Sequence, residues 1–285
     1  MKILVTGCSG FIGKNYVSYL HKQNKHSVYC CNSDIDITNK DEIREILEDI
    51  KPEAIVHLAA KSVPGTSDDK WDNLWRVNVD GTRNLLHYAP KDCRFVLASS
   101  ITVHGDGKFN SDTRFAPSTV YAASKISAEM LVESYTRLGR VRGTSMRLCA
   151  IVGPGLTHGV IKDFIFKLKN HEKLEILGSW PGSCKPYLHV SDVCSAIDNI
   201  LNMNTPMSKV IVSANDSTTI DDIADICMQE WVKKEKVWLG EAANFAGDNR
   251  NVYTMMRHID IPEWNWYPTH KTSKEAIRQC IKENL

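Results

Sequence analysis

Tyr121 and Lys125 stand four residues apart in Tyr121-Ala122-Ala123-Ser124-Lys125, near the start of a segment read as a long helix over 120–138. That spacing puts the phenol and the amine on one helical face. A free tyrosine loses its proton near about pH 10, too high for a useful base. A neighbouring ammonium favours the phenolate and lowers that value, which turns the phenol into a group able to take a proton from an alcohol. Ser100 closes the strand before this helix and is placed to hydrogen-bond the same substrate oxygen. Taken alone, a tyrosine and a lysine at this spacing also fit a solvated helix face. Their position after a glycine-rich turn and the Ser99-Ser100 strand end is what favours chemistry.

That turn is Gly7-Cys8-Ser9-Gly10-Phe11-Ile12-Gly13, which follows the first strand and opens the first helix. Gly7 permits the tight turn, Gly10 lets a pyrophosphate approach the backbone, and Gly13 lets the helix lie close on the sheet. The helix start offers free N–H groups to phosphates. Glycine spacing is a weak signal by itself, and the strand–turn–helix context makes it strong. A nicotinamide dinucleotide is the implied cofactor, and its positive ring would add to the pull on the Tyr121 proton. The second strand should end with an acid for the adenosine ribose, but the chain has Cys31-Asn32-Ser33 there. Asn32 can still bind a ribose and does not repel a 2′-phosphate, while no arginine sits nearby to attract one. NAD is therefore expected, with NADP left open. Asp36 and the Ile37 backbone are placed to meet the adenine amino edge; Asp36 also reads as a helix-capping acid.

The elements that must hold these groups follow from periodicity. Strands are read at 2–6, 27–31, 53–58, 94–99 and 143–148, with helices at 12–21, 41–50, 79–88 and 120–138. Strands separated by helices of this size imply a parallel sheet covered on both faces, and a complete doubly wound α/β sheet of six strands is expected. After Arg147 the character changes: Gly153-Pro154-Gly155 is turn chemistry, and 178–186 is a loop rich in Gly, Pro and Ser. Short helices near 220–231 and 274–283 follow. The division expected is a Rossmann-like dinucleotide-binding domain over 1–149 and a smaller α/β substrate domain over 150–285, with 187–203 packing back on the first.

Composition limits the alternatives. The chain has 285 residues, 42% apolar and 24% charged, with Lys+Arg 35 against Asp+Glu 34. A basic field for nucleic acid or an anionic membrane is absent. No apolar run is long enough to span a bilayer, the first residues lack a signal-peptide pattern, and a cytoplasmic protein is expected. The nine cysteines include no Cys-x-x-Cys pair. Most, including Cys30, Cys31, Cys149 and Cys227, sit in apolar stretches and read as reduced, buried thiols. No metal is expected: His189 and Asp192 look like a pair of ligands but lack a third. Trp71 and Trp75 read as core or dimer contacts, and Trp264 and Trp266 as packing.

Seven motifs in order make the chain resemble the extended short-chain dehydrogenase/reductase family, which includes nucleotide-sugar epimerases and dehydratases. They are the segment from Thr6 to Gly13, His57-Leu58-Ala59-Ala60, Asn78 to Leu86, Ser99-Ser100-Ile101-Thr102-Val103-His104-Gly105, Tyr121 to Lys125, Gly153-Pro154-Gly155, and His189-Val190-Ser191-Asp192-Val193. The resemblance implies Ser100, Tyr121 and Lys125 as a catalytic triad, with Lys125 also holding the nicotinamide ribose. It sets Leu58, Ala59, Ala60 and Asn78 against the cofactor. It also implies a homodimer through the helices at 79–88 and 120–138.

Departures from the family pattern narrow the chemistry. The 4,6-dehydratases carry an Asp-Glu pair after the catalytic hydroxyl, where this chain has Ile101 and Thr102, which cannot serve as acid and base. An asparagine that touches the substrate pyrophosphate in UDP-galactose 4-epimerase is replaced by Ala150, and the later nucleotide-binding arginine by Lys185, which lacks a bidentate fork. Thr102, His104, Lys185 and Arg250 are the candidate substrate contacts. His104 stands where tyrosine is usual and either touches substrate or only packs; Arg250 either reaches the nucleotide diphosphate or lies on the surface. The main expectation is an NAD-dependent nucleotide-sugar epimerase. The compact Asp36-Ile37-Thr38 segment also resembles NADPH-dependent 4-keto-sugar reductases. A third reading is a non-catalytic NAD(P)-sensing or scaffold protein.

Overall fold

The strand Lys2–Thr6 (β1) is apolar at Ile3, Leu4 and Val5, all fully buried, as a central parallel strand requires when helices cover both of its faces. A computed structural model describes residues 1–32, 34–62, 68–110, 112–229, 235–239, 256–258, 264 and 266–284. The chain falls into two compact units. The first comprises Met1–Gly105, Arg114–Leu148 and Val193–Val212, and the second Asp106–Thr113, Cys149–Asp192 and Ser213–Leu285.

The first unit is built on a six-stranded sheet. Its strands are β1, Ser27–Cys31 (β2), Ala54–His57 (β3), Cys93–Ser100 (β4), Val141–Leu148 (β5) and Lys209–Val212 (β6). They run in the order β6-β5-β4-β3-β1-β2 with every neighbouring pair parallel. The helices that cross between strands include Phe11–Gln23 (α1), Lys40–Ile50 (α2), Asp68–Trp75 (α3), Gly81–Tyr88 (α4) and Val120–Arg137 (α5). On one face Leu4, Ile43, Leu47, Ile55, Leu85, Phe95 and Val132 form a continuous apolar core. The chain order reverses at β1, which has β2 on one side and β3 on the other. Ligands of such sheets bind outside the carboxyl ends of the strands at such a switch point. Five of the six strands are those read from periodicity. The sixth, Lys209–Val212, lies beyond the Gly- and Pro-rich segment where the pattern breaks, and only its pairing with β5 identifies it.

The second unit has its own core, formed by Phe164, Leu168, Ile223, Cys227, Ile277 and Cys280 from three helices, Val160–Lys169, Ile220–Gln229 and Ser273–Asn284. His189 and Asp192 do not face one ion. His189 Nε2 meets Glu283 at 2.8 Å, and Asp192 meets His270 Nδ1 at 2.6 Å. The two tryptophans of α3 are not in the core: Trp71 is 36% and Trp75 42% exposed. The indoles of Trp264 and Trp266 stack with centroids 5.0 Å apart.

All nine cysteines are free thiols, and eight are buried. Cys30 is the exception to the expectation of burial. It lies on β2, the edge strand of the sheet, where only one neighbouring strand covers it.

Candidate active site

Glycine geometry at the carboxyl end of β1 shapes the first half of the site. Gly7 has φ +73°, a left-handed conformation that favours glycine. Its N–H donates to the Cys31 carbonyl at 3.0 Å, and a Cβ there would stand 2.7 Å from the Ala59 nitrogen. At Gly13 a Cβ would come within 2.1 Å of the Gly7 carbonyl oxygen, so the close approach of α1 to the turn depends on the missing side chain. Helix α1 starts at Phe11 with Gly10 as its N-cap, no side-chain cap and no acid in its first turn. Its first N–H groups are left to a ligand, and the helix dipole favours an anion there. Phe11 and Ile12, the first two helical residues, are half-buried. Asn32, just past β2, has a buried Oδ1 with no hydrogen-bond partner among the described residues. An uncapped helix start, a glycine cradle and an orphaned amide oxygen on the neighbouring strand fit a dinucleotide, with the phosphates at the helix and a ribose at Asn32.

A buried relay fixes the loop after β3. The Ala59 N–H donates to Thr6 Oγ1 at 3.2 Å, and Thr6 Oγ1 meets His57 Nδ1 at 2.7 Å. His57 Nε2 meets Thr82 Oγ1 at 3.0 Å, and Thr82 donates to the Asn78 carbonyl at 2.7 Å. Because the Thr82 proton goes to Asn78, Nε2 must carry the imidazole proton, and Nδ1 accepts from Thr6. Burial, aided by the Lys125 ammonium, holds His57 down at about 3, so the ring stays neutral as the relay needs. Leu58 joins through its N–H to the Thr6 carbonyl at 3.2 Å, while Ala60 is exposed.

Asn78 sits in a short π-helical turn, Arg76–Asp80, between α3 and α4, a distortion often found at functional sites. Its carboxamide accepts from the Lys61 N–H at 2.8 Å, and donates to the Lys61 carbonyl and to Ser124 Oγ, each at 3.0 Å. Asn78 thus ties the loop after Ala60 to the helix that carries Tyr121.

Ser100, at the end of β4, caps the short 3-10 turn Ile101–His104. Its Oγ accepts from the Thr102 N–H at 3.2 Å and from Thr102 Oγ1 at 2.9 Å. With both acceptor positions taken, its own proton is left to donate, and Ser100 is hydrogen-bonded to Tyr121. Helix α5 is capped by Thr119, whose hydroxyl accepts from the Ala122 N–H. Tyr121 lies in the first turn, and the Lys125 Nζ stands 5.8 Å from its ring centroid while donating to the Ala98 carbonyl at 2.9 Å.

The balance of proton affinities differs from the sequence expectation. Burial pushes the Tyr121 phenol up to about 12, against the pull of Ser100. Burial also brings Lys125 down to about 8, against the pull of Glu129. The ammonium is aimed at Ala98 rather than at the phenol oxygen, so the protein's own charges do not offset the cost of a desolvated phenolate.

Beneath this set lies a polar network that motif reading missed. Glu129 follows Lys125 by four residues and is 3% exposed; Arg147 on β5 is 1% exposed. The guanidinium grips the carboxylate through Nη2 at 2.7 Å and Nε at 3.1 Å, and the Ser99 hydroxyl donates to the same carboxylate. His104 Nε2 meets Arg147 Nη1 at 3.1 Å. Since arginine only donates, this nitrogen accepts and the imidazole proton is on Nδ1. His104, 4% exposed, is a buried partner of Arg147. The signal available in the sequence was the Tyr121, Lys125, Glu129 spacing of four and four.

Other candidates fall in several places. The Asp36 carboxylate accepts from the Thr38 N–H at 2.9 Å, whereas the cap of α2 is Asn39, so the capping alternative for Asp36 is corrected. Ile37 is buried, and its carbonyl accepts from Asn84. Lys185 is on a two-residue strand of the second unit, paired with Thr218. Arg250 lies outside the described residues.

A parallel sheet with a glycine-turned helix start, followed by a serine, a tyrosine and a lysine gathered at its carboxyl edge, defines a dinucleotide-dependent enzyme of the extended short-chain dehydrogenase/reductase class. The profile of the NAD dependent epimerase/dehydratase family matches residues 3–212, and the chain belongs to that family. A low-salt glycan biosynthesis protein of Haloferax volcanii is 31% identical over 227 residues, 70% of this chain and 73% of that protein. A GDP-L-fucose synthase of Dictyostelium discoideum is 26% identical over an alignment of 304 positions, covering 98% of this chain and 95% of that protein. The fold is that of a UDP-glucuronic acid 4-epimerase from Bacillus cereus solved with UDP-glucuronic acid and NAD (TM-score 0.84, 20% identity, covering 100% of this chain and 99% of that chain).

Proposed function

We propose that the chain is a nucleotide-sugar epimerase that uses a retained NAD, oxidising a sugar hydroxyl and reducing the resulting ketone from its other face. The observation that carries this reading is the Ser100, Tyr121, Lys125 set combined with Ile101 and Thr102 in place of an acid–base pair. Gly7, Gly10, Gly13 and the start of α1 would hold the pyrophosphate, Asn32 the adenosine ribose, and Lys125 the nicotinamide ribose. The bound dinucleotide supplies a hydride acceptor and a positively charged ring. Ser100 donates its proton toward the reacting oxygen and fixes its position. Tyr121 accepts the hydroxyl proton and later returns it, the phenolate being favoured by the Ser100 hydroxyl and the positive ring of the dinucleotide. Ile101 is buried and Thr102 is engaged with Ser100, so neither can remove water from the sugar.

A second reading, a 4-keto-sugar reductase consuming NADPH, is favoured by one observation: the likeness to GDP-L-fucose synthase runs over nearly the whole chain. Incubation with candidate sugar nucleotides separates the two. The epimerase reading expects epimers to accumulate with no net change in nicotinamide absorbance. Stoichiometric loss of NADPH with a 4-keto sugar, and none of the epimer, would transfer the assignment to the reductase.

We also infer a homodimer through α4 and α5, supported by the 41% exposure of Met130 on α5. Light scattering of the purified protein should return twice the chain mass, and a monomer at micromolar concentration would refute this.

A further inference from the structure

Cys30 and Val5 are side-by-side residues of the parallel pair β1 and β2, and such strands run about 4.8 Å apart. Cys8, three residues past Val5, folds back so that its Sγ donates to the Val5 carbonyl at 2.8 Å. Its sulfur is thereby brought over the strand position next to Cys30. Both line one surface depression of about 510 Å³ with Ser9, Lys14, His21 and Asn32. Cys8 stands between Gly7 and Gly10 of the phosphate turn. Cys30 is the single exposed thiol of the nine.

We propose that Cys30 and Cys8 form an oxidisable pair, a modification site at which a peroxide closes an intrachain disulfide between the phosphate turn and β2. The Cys30 sulfur attacks one peroxide oxygen: an S–O bond forms, the O–O bond breaks, and the departing oxygen leaves as water with the thiol proton. Cys8 then attacks the sulfenic sulfur, an S–S bond forms, the S–O bond breaks, and a second water leaves with the Cys8 proton. Two thiols lose two electrons and two protons, and one peroxide becomes two waters. The order follows from access. Cys30 meets solvent, whereas Cys8 is buried and its thiol is pushed well up by desolvation, so Cys8 acts second. The bond ties Cys8 to the strand that presents Asn32 and narrows the depression beside it.

Formation of the bond stands on the thiol geometry alone. Its consequence, weaker dinucleotide binding, rests on the proposed cofactor site. The folded protein is treated with a small molar excess of hydrogen peroxide, digested under non-reducing conditions and mapped by mass spectrometry, with NADH binding followed by fluorescence. A Cys8–Cys30 peptide lighter by two hydrogen atoms is expected. NADH affinity should fall at least about tenfold and return with dithiothreitol. Cys30→Ser should abolish both the cross-link and the response to peroxide. Cys8→Ser should leave a sulfenic acid on Cys30 that dimedone traps. Oxidation of Cys30 to sulfinic acid with no cross-linked peptide overturns the pair, as does a cross-linked protein that binds NADH as tightly as the reduced one. A reduced protein that fails to bind NADH instead overturns the cofactor reading and leaves the peptide map to judge the thiols.

Discussion

Tyr121→Phe should lower kcat by roughly 10²–10⁴-fold, the range lost when a general acid–base group is removed, while leaving dinucleotide affinity within about twofold. The substitution removes one oxygen and keeps the ring. The half-buried ring keeps its packing on α5, and stability should change by only about 1 kcal/mol, the worth of one hydrogen bond to Ser100. The loss therefore belongs to the transition state. Its size follows from where the proton is held. Burial, only partly opposed by Ser100, places the phenol at about 12, so the protein withholds the phenolate until substrate and a positive ring are both in place. Phenylalanine offers nothing to receive the hydroxyl proton, and Ser100, whose two acceptor positions are taken by Thr102, cannot substitute. Steady-state kinetics on the epimerised sugar, paired with NADH titration, measures both numbers. A variant retaining more than about a tenth of the wild-type kcat would show that Tyr121 is not the base.

Much of the fold was legible because a parallel sheet writes itself locally. Each buried strand is a short apolar run, and each is followed by a helix with its own period. Lys2–Thr6 and Ser27–Cys31 were read with their observed limits. Lys209–Val212 is no less apolar, but its partner β5 lies some sixty residues earlier, and pairing at that distance leaves no trace in a local pattern. The same division runs through the site. Gly7, Gly13, Ser100, Tyr121 and Lys125 could be named because their roles follow from their own spacing and the element they start or end. Asn78, named only through the family resemblance, and His57 and Glu129 act through partners elsewhere in the chain: Lys61 and Ser124, Thr6 and Thr82, and Arg147. The proton affinities were the least legible. The Tyr121–Lys125 spacing was read correctly, yet the direction of the phenol shift depends on desolvation, which only the packed structure defines.

Glu129→Gln should destabilise the protein by about 3–5 kcal/mol, the usual loss when one member of a buried ion pair is neutralised. The side chain keeps its shape and can still accept from Ser99, so packing is preserved. What changes is that Arg147, 1% exposed, loses the charge of the buried carboxylate that grips it. The neutral His104 beside it cannot supply the missing charge. A control lies on the same helix, where Arg137 pairs with Glu133 but is 79% exposed. Arg137→Ala should change stability by no more than about 0.5 kcal/mol. Urea unfolding of the three proteins at neutral pH measures the contrast. The substitution also has a kinetic signature that a purely structural role does not produce. Lys125 is held at about 8 because burial disfavours its charge while Glu129 favours it. Among the described residues the groups facing the ammonium are Tyr121 and Glu129 from α5 and the neutral His57 from β3, and of these Glu129 is the one carboxylate. Neutralising it lets desolvation act with less opposition, and the Lys125 value falls further. Activity that depends on the ammonium is full below that value and lost as pH rises through it, so the alkaline limb of the pH–rate profile should begin near pH 8 in the wild type and at lower pH in Glu129→Gln. An unmoved alkaline limb in a folded but destabilised variant would mean that Glu129 holds Arg147 and nothing more.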